Sequence, residues 1–388
     1  MRRWMIGVIC CVLAFCVCAP VCAWDDGGFV VEDEDENAAP DPRSQARVLL
    51  RGMTLRQKIS QLFIVAPEAL TGERRSVAVD AKTAMAQYPV GGVILFGQNI
   101  VSETQLIALT DAINAAGKNA DAYAPFIAVD EEGGSVSRIA NKLGYSYAPS
   151  PAALGNEGDA QGAYDAGAYI AAYLKPLGIN LDFAPVADVL IEDASEVAAR
   201  SYGKDAATVS ALAAGMAAGL RDGGVIPCYK HFPGHGAVSA STHKGKATSR
   251  RTLEEMRQAE LIPFRSGIEQ GAEIIMVSHF TAQAIDASAP VSLSAAVITS
   301  LLREEMGYDG VVITDALRMK AVSTDYDAGD AAVAAVRAGA DMLLLPGNLS
   351  EAVDALEGAV RTGALSQERI DQSVERILAL KIRYGLIR

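Results

Sequence analysis

The stretch Val225-Ile-Pro-Cys-Tyr-Lys-His-Phe-Pro-Gly-His-Gly-Ala-Val-Ser-Ala-Ser-Thr-His243 decides how the rest of the chain is read. Its apolar run, Val225 to Tyr229, is long enough for one buried strand and stops at a Lys-His pair. Pro233, Gly234 and Gly236 then end regular structure, and a loop carries polar groups out to His243. Three of the chain's four histidines fall here. They show no helical i,i+4 pair, and Cys228 sits inside the apolar run rather than beside them, so the spacing disfavours a metal centre. Neither Ser239 nor Ser241 lies in a Gly-x-Ser-x-Gly turn, which disfavours a serine nucleophile.

Working outward, the same unit recurs: a short apolar run, a loop, then a helix-length stretch. Eight such runs are present, at Leu62–Val65, Gly92–Phe96, Phe126–Val129, Ile179–Phe183, Val225–Tyr229, Glu273–Val277, Val311–Ile313 and Met342–Leu345. Continuous rather than alternating apolar runs predict parallel strands covered on both faces, and the repeated rhythm predicts an α/β protein, a single (β/α)8 TIM-like barrel. An open doubly wound sheet would need an early Gly-x-Gly-x-x-Gly turn, which neither Gly91-Gly92 nor Gly133-Gly134 supplies. Thr54 is a plausible cap for a helix burying Leu55, Ile59 and Leu62. A final helix from Ser366 to about Tyr384 carries Ile370, Val374, Ile377, Leu378 and the Lys381 stem on one side. No further domain is expected after it.

Barrel enzymes place their chemistry at the C-terminal ends of strands, and the polar residues fall there. The third run ends in Val129-Asp-Glu-Glu-Gly-Gly-Ser-Val-Ser-Arg138 and the fourth continues Asp182-Phe-Ala-Pro-Val-Ala-Asp188. The fifth ends at Lys230-His231, the sixth at Ser278-His279, the seventh at Thr314-Asp315-Ala-Leu317. One acid after a strand is most simply a helix cap; five strand ends behaving alike are not.

Lys230-His-Phe-Pro-Gly-His-Gly236, followed after four residues by Ser241-Thr-His243, resembles the signature of the glycoside hydrolase family 3 β-N-acetylhexosaminidases. Asp130 through Arg138 is similar to that family's Asp-x-Glu-Gly-Gly-x-Val-x-Arg segment. Arg200-Ser-Tyr-Gly203 is similar to its Arg-Ser-Phe-Gly, and Ile313-Thr-Asp-Ala-Leu317 to its nucleophile segment. The resemblance covers nearly all of 47–388. It implies Asp315 as nucleophile and His243 as general acid/base, with Asp130, Arg138, Arg200, Lys230 and His231 holding the nonreducing-end sugar.

It implies N-acetylglucosamine as that sugar, and no cofactor or metal. Retaining hydrolysis needs a carboxylate to capture the anomeric carbon and a second group to protonate the departing oxygen. A histidine, with an ordinary pKa of about 6.5, can fill the second role.

One position departs from the pattern: the family has an aspartate where this chain has Ser241, which can offer only a neutral hydrogen bond. The expectation is that Ser241 supports His243 weakly. Ser241→Asp should then move the alkaline limb of the rate profile upward, unless Glu131 or Glu132 supplies a carboxylate from another loop. Two other classes stay open: a phosphorylase or broader β-glycosidase on the same scaffold, and a catalytically impaired carbohydrate-binding barrel.

Met1 to Ala23 has Arg2 and Arg3, an apolar centre and a small-residue end at Val21-Cys22-Ala23, the features of an export signal. Pro20 and the short core argue against a membrane anchor, with an uncleaved anchor as the alternative reading. Residues 24–46, with Glu32-Asp-Glu-Asp-Glu36, are expected to form an acidic disordered linker, leaving 47–388 as the catalytic domain. Five of the six cysteines lie in the leader, so only Cys228 would remain and no internal disulfide could form. Without the leader the formal charge is 32 − 47 = −15, which repels nucleic acid and anionic lipid. The expected setting is secreted or cell-envelope associated, with a glycan as partner; the sequence sets no oligomeric state.

Overall fold

The computed structural model describes residues 41–75, 81–119 and 123–387. The expected leader 1–23, and the linker as far as residue 40, lie outside the described residues. Eight parallel strands form the core: β1 Phe63–Val65, β2 Gly92–Ile94, β3 Phe126–Val129, β4 Leu181–Asp182, β5 Ile226–Phe232, β6 Ile274–Val277, β7 Val311–Thr314 and β8 Leu343–Leu344. Each falls on one of the eight apolar runs. β1 pairs with both β2 and β8, through Ile64↔Gly92 and Phe63↔Leu343, and the order continues unbroken from β2 to β7. An isolated parallel bridge, Ile313↔Met342, joins β7 to the start of β8 and closes the ring. All positions of β1, β3, β5, β6 and β7 are buried, as expected for strands with side chains inside the ring and helices outside.

β5 goes further than its apolar run. It carries straight through Lys230 and His231 to Phe232, and its register against β6 shifts between Lys230 and Phe232. The polar pair is therefore part of the barrel wall. Cys228 is buried in the same strand, and burial pushes its thiol pKa up. Beyond the strand, Gly236 lies so close to the neighbouring loop that a Cβ there would sit 2.0 Å from the Val189 carbonyl oxygen.

The domain begins earlier than expected. Residues assigned to the linker as far as 46 are already helical from Pro42, because Asp41 caps the Ser44 amide and Pro42 occupies the first turn of a helix that runs to Arg51. Ala46 and Leu50 are buried, and Arg43 and Arg47 pair with Asp309 and Glu375. The Thr54 helix forms as expected, with a reciprocal Thr54–Gln57 capping box.

The last helix, Gln367–Arg383, is capped by Ser366 and ends before Gly385. Its Lys381 differs from expectation. Rather than keeping its head in water, it is fully buried and donates to Gln61 Oε1 at 2.8 Å, with its ammonium 5.1 Å from the Phe126 ring centroid. Burial pulls its pKa down to about 7. Between about pH 7 and 10.5 the unfolded chain holds this proton and the folded chain does not, so stability rises with pH across that window. A fall from 10.5 to about 7, at about 1.4 kcal/mol per pH decade, sets a ceiling of about 5 kcal/mol. Lys381→Met is expected to raise the unfolding free energy at pH 7 by about 1–4 kcal/mol and to flatten its rise toward pH 10. Urea denaturation at several pH values reads both effects.

Candidate active site

At the C-terminal end of the barrel lies a cavity of about 240 Å³, lined by Asp130, Arg138, Arg200, Lys230, His231, His243 and Asp315. These are the seven residues expected to catalyse or bind; the structure brings all of them together. Each comes from a strand end or the loop that follows, as the barrel rule requires.

One side of the cavity is a charge cluster. Lys230, 2% exposed, places Nζ 2.9 Å from Asp130 Oδ1 and 2.6 Å from Glu132 Oε1. Arg200 donates from Nε and Nη2 to the two oxygens of Glu132 at 2.7 and 2.6 Å, a bidentate pair. Burial alone would raise the Glu132 pKa, but the two cations outweigh it and hold it down to about 2. The same carboxylates hold the Lys230 pKa up against its burial.

His231 is fixed by Asp188, whose Oδ2 lies 2.7 Å from Nδ1 and whose Oδ1 accepts from the His231 amide at 3.2 Å. Asp188 Oδ1 also accepts from the His235 amide at 2.6 Å. Asp188 is wholly buried and spent on the two histidines.

Asp315 closes the opposite side, half-buried at the end of β7. Its amide donates to Val277 O at 2.8 Å, tying it to β6, and its Oδ1 accepts from the Ala316 amide at 2.7 Å. Among the described residues it makes no ion pair, while Asp130 and Glu132 both do. Burial raises its pKa, but the surrounding His279, His231 and Lys230 prevail and leave it below the usual range. Asp315 is therefore ionised and free at neutral pH. Beside it, burial pulls the His279 pKa down; its Nε2 lies 3.1 Å from Ala316 O and its Nδ1 2.7 Å from Ser292 Oγ.

The neighbouring glutamates divide their work. Glu131 is not available to His243. Its carboxylate accepts from the Ile139 and Ala140 amides at 2.8 and 2.9 Å and from Tyr173 at 2.8 Å, capping the helix Arg138–Leu143 whose first residue enters the cavity. Glu132 is committed to Arg200 and Lys230. Neither compensates for Ser241, because each is saturated by its own donors. The carboxylate that does reach the loop is Glu196, which the sequence reading passed over. Its Oε1 accepts from the Thr242 amide at 3.3 Å and the Thr242 hydroxyl at 3.0 Å. It lies in an irregular turn with no periodic signal, and only its distance from a strand end of acidic character, at Asp188, could have flagged it. His243 itself is exposed at the cavity rim.

Comparison with known proteins bears on this site. The glycosyl hydrolase family 3 N-terminal domain pattern matches residues 54–380. The β-hexosaminidase LpqI of Mycobacterium tuberculosis is 35% identical over 355 residues, covering 89% of this chain and 87% of the relative. β-Hexosaminidase A of Pseudoalteromonas piscicida is 30% identical over 368 residues, covering 85% and 61%. Among solved structures, a family 3 β-N-acetylglucosaminidase from Paenibacillus sp. FPU-7 superposes with a TM-score of 0.82 at 38% identity, over 86% of this chain and 63% of that one. The M. tuberculosis LpqI structure gives 0.76 at 32% identity, over 89% and 97%.

Proposed function

Because the chain belongs to glycosyl hydrolase family 3, among its β-hexosaminidases, we propose that it is an exported, retaining exo-β-N-acetylglucosaminidase. Its substrates are peptidoglycan fragments or chitin oligosaccharides with N-acetylglucosamine at the nonreducing end. The observation that carries this reading is Asp315, an ionised carboxylate without a cation partner, set opposite a cluster of charged donors. A cavity of about 240 Å³ is below the ~300–1,000 Å³ of common ligand clefts. It suits one sugar ring, hence attack at a chain end.

In the first step an Asp315 oxygen bonds to the anomeric carbon, the glycosidic C–O bond breaks, and its electron pair takes the proton from His243. Water, deprotonated by His243, then attacks the same carbon and releases the Asp315 carboxylate. Asp130, Glu132, Lys230 and Arg200 offer hydroxyl-binding donors and acceptors whose mutual pairing fixes them before substrate arrives, and Arg138 adds a donor whose Nε has no partner among the described residues. Export rests on the Met1–Ala23 leader; among the described residues no helix is long and apolar enough to cross a membrane.

Turnover of chromogenic β-glycosides, with and without phosphate and with products weighed by mass spectrometry, tests the reading. The N-acetylglucosaminide should exceed the glucoside by about a hundredfold or more and release free sugar at a rate indifferent to phosphate. A sugar phosphate as main product would make the protein a phosphorylase, and no turnover of any β-glycoside would leave a carbohydrate-binding barrel.

A further inference from the structure

His243 sits inside a tight turn closed by a 3.1 Å hydrogen bond from the Lys244 amide to Ser241 O. The imidazole makes no hydrogen bond among the described residues, so its place is set by the turn. That turn is held at Thr242, 1% exposed. The Thr242 carbonyl accepts from the Ala321 amide at 3.2 Å, which ties it to the segment after Asp315. Its amide and hydroxyl both donate to Glu196 Oε1. His235 Nε2 lies 2.9 Å from the same carboxylate, out of line with the ring N–H direction. Half-burial would raise the Glu196 pKa, but His235, Ser241 and Thr242 together hold it well below the carboxylate range. Glu196 is thus a fixed anion and no proton donor.

We infer that Glu196 is the positioning residue of the acid/base loop, a carboxylate delivered from the β4 loop that orients the His243 turn and sets a permanent negative charge against it. The inference rests on His243 being the acid/base. The other charged groups around the turn are Lys244 next to it, His235, Asp315 and Arg318 on the cavity wall, and Lys246, which is paired with Asp325. Of these carboxylates only Glu196 bonds the turn. Its charge also reverses the expectation for Ser241: an aspartate there would face an existing anion, so Ser241→Asp alone should lower activity.

Glu196→Gln keeps the shape and the acceptor for Thr242 and removes the charge. Turnover of an N-acetylglucosaminyl disaccharide, which needs a proton at its leaving oxygen, should fall roughly tenfold or more, within the range general acid catalysis supplies. The 4-nitrophenyl substrate should change little, and the alkaline limb of the disaccharide profile should move to lower pH. Ser241→Asp placed in the Glu196→Gln protein should restore both the substrate ratio and the limb. Equal loss on both substrates with an unmoved pH profile and a lowered Tm would mean a merely structural side chain and overturn the inference. So would His243→Ala being inactive while Glu196→Gln matches wild type. If His243→Ala keeps full disaccharide turnover, the acid/base assignment fails and this inference falls with it.

Discussion

Asp315→Asn is expected to fold normally and to lose about three to five orders of magnitude in turnover, the scale seen when a group acting only in the transition state is removed. The amide keeps the oxygen that accepts from Ala316 and leaves the Val277 backbone contact untouched, so the loss would be chemical rather than structural. Circular dichroism and thermal unfolding check the fold, and initial rates on an activated N-acetylglucosaminide check the loss. In wild type, a 5-fluoro glycoside should trap the sugar on Asp315, located by peptide mass mapping. Labelling at Asp188 or Glu132 would overturn the assignment. The structure argues against both, since Asp188 is sealed beneath two histidines and Glu132 is clamped by Arg200 and Lys230.

Lys230→Met should damage both stability and binding. Removing one member of a buried ionic cluster costs about 3–5 kcal/mol, because the remaining charge stays buried without its partner. Here the loss falls on Asp130, which has no other cation among the described residues, and less on Glu132, which keeps Arg200. The pH dependence follows by linkage. In wild type, the stability that Glu132 contributes is complete above its ordinary pKa of 4.5 and drains away as pH falls through about 2. Taking away Lys230 lets the Glu132 pKa rise, so acid unfolding should begin at higher pH. Urea unfolding between pH 3 and 7 measures this, and KM for the disaccharide should rise as well. Adding Asp130→Asn to Lys230→Met should steepen the binding defect while recovering part of the stability, since it removes the carboxylate charge left without its partner.

The fold was legible because most barrel strands fall in a short apolar run bounded by polar residues, a pattern that covering on both faces imposes locally; the fourth, Ile179-Asn-Leu-Asp-Phe183, alternates instead. Asp130, Lys230, His231 and Asp315 were legible for the same reason: a polar residue at the end of such a run is placed by the strand itself, whereas Arg138, Arg200 and His243 lie out in loops and were legible only through the family's motifs. Glu196 was not, because its link to Thr242 spans 46 residues and exists only once two loops meet. The helix at Pro42 had its own local signal in Asp41-Pro42, masked by the acidic run just before it. The separate duties of Glu131 and Glu132 were also readable in principle, since consecutive residues of an extended ribbon face opposite sides. Lys381 runs against its local signal: a lysine on an apolar stripe reads as a snorkelling stem, and only the packed Gln61 shows where its head goes.

The pairing of β1 with β8 carries a consequence for how the molecule is made. Phe63 finds its partner at Leu343, 280 positions downstream. A ribosome working from the first residue cannot cover that flank of β1 until almost the whole chain has been synthesised. Contacts so far apart in sequence form slowly, and an uncovered strand edge invites pairing with other chains. Truncations that stop between residues 320 and 342 should therefore yield aggregates rather than a smaller active enzyme, even though every cavity-lining residue up to Met319 is present in them.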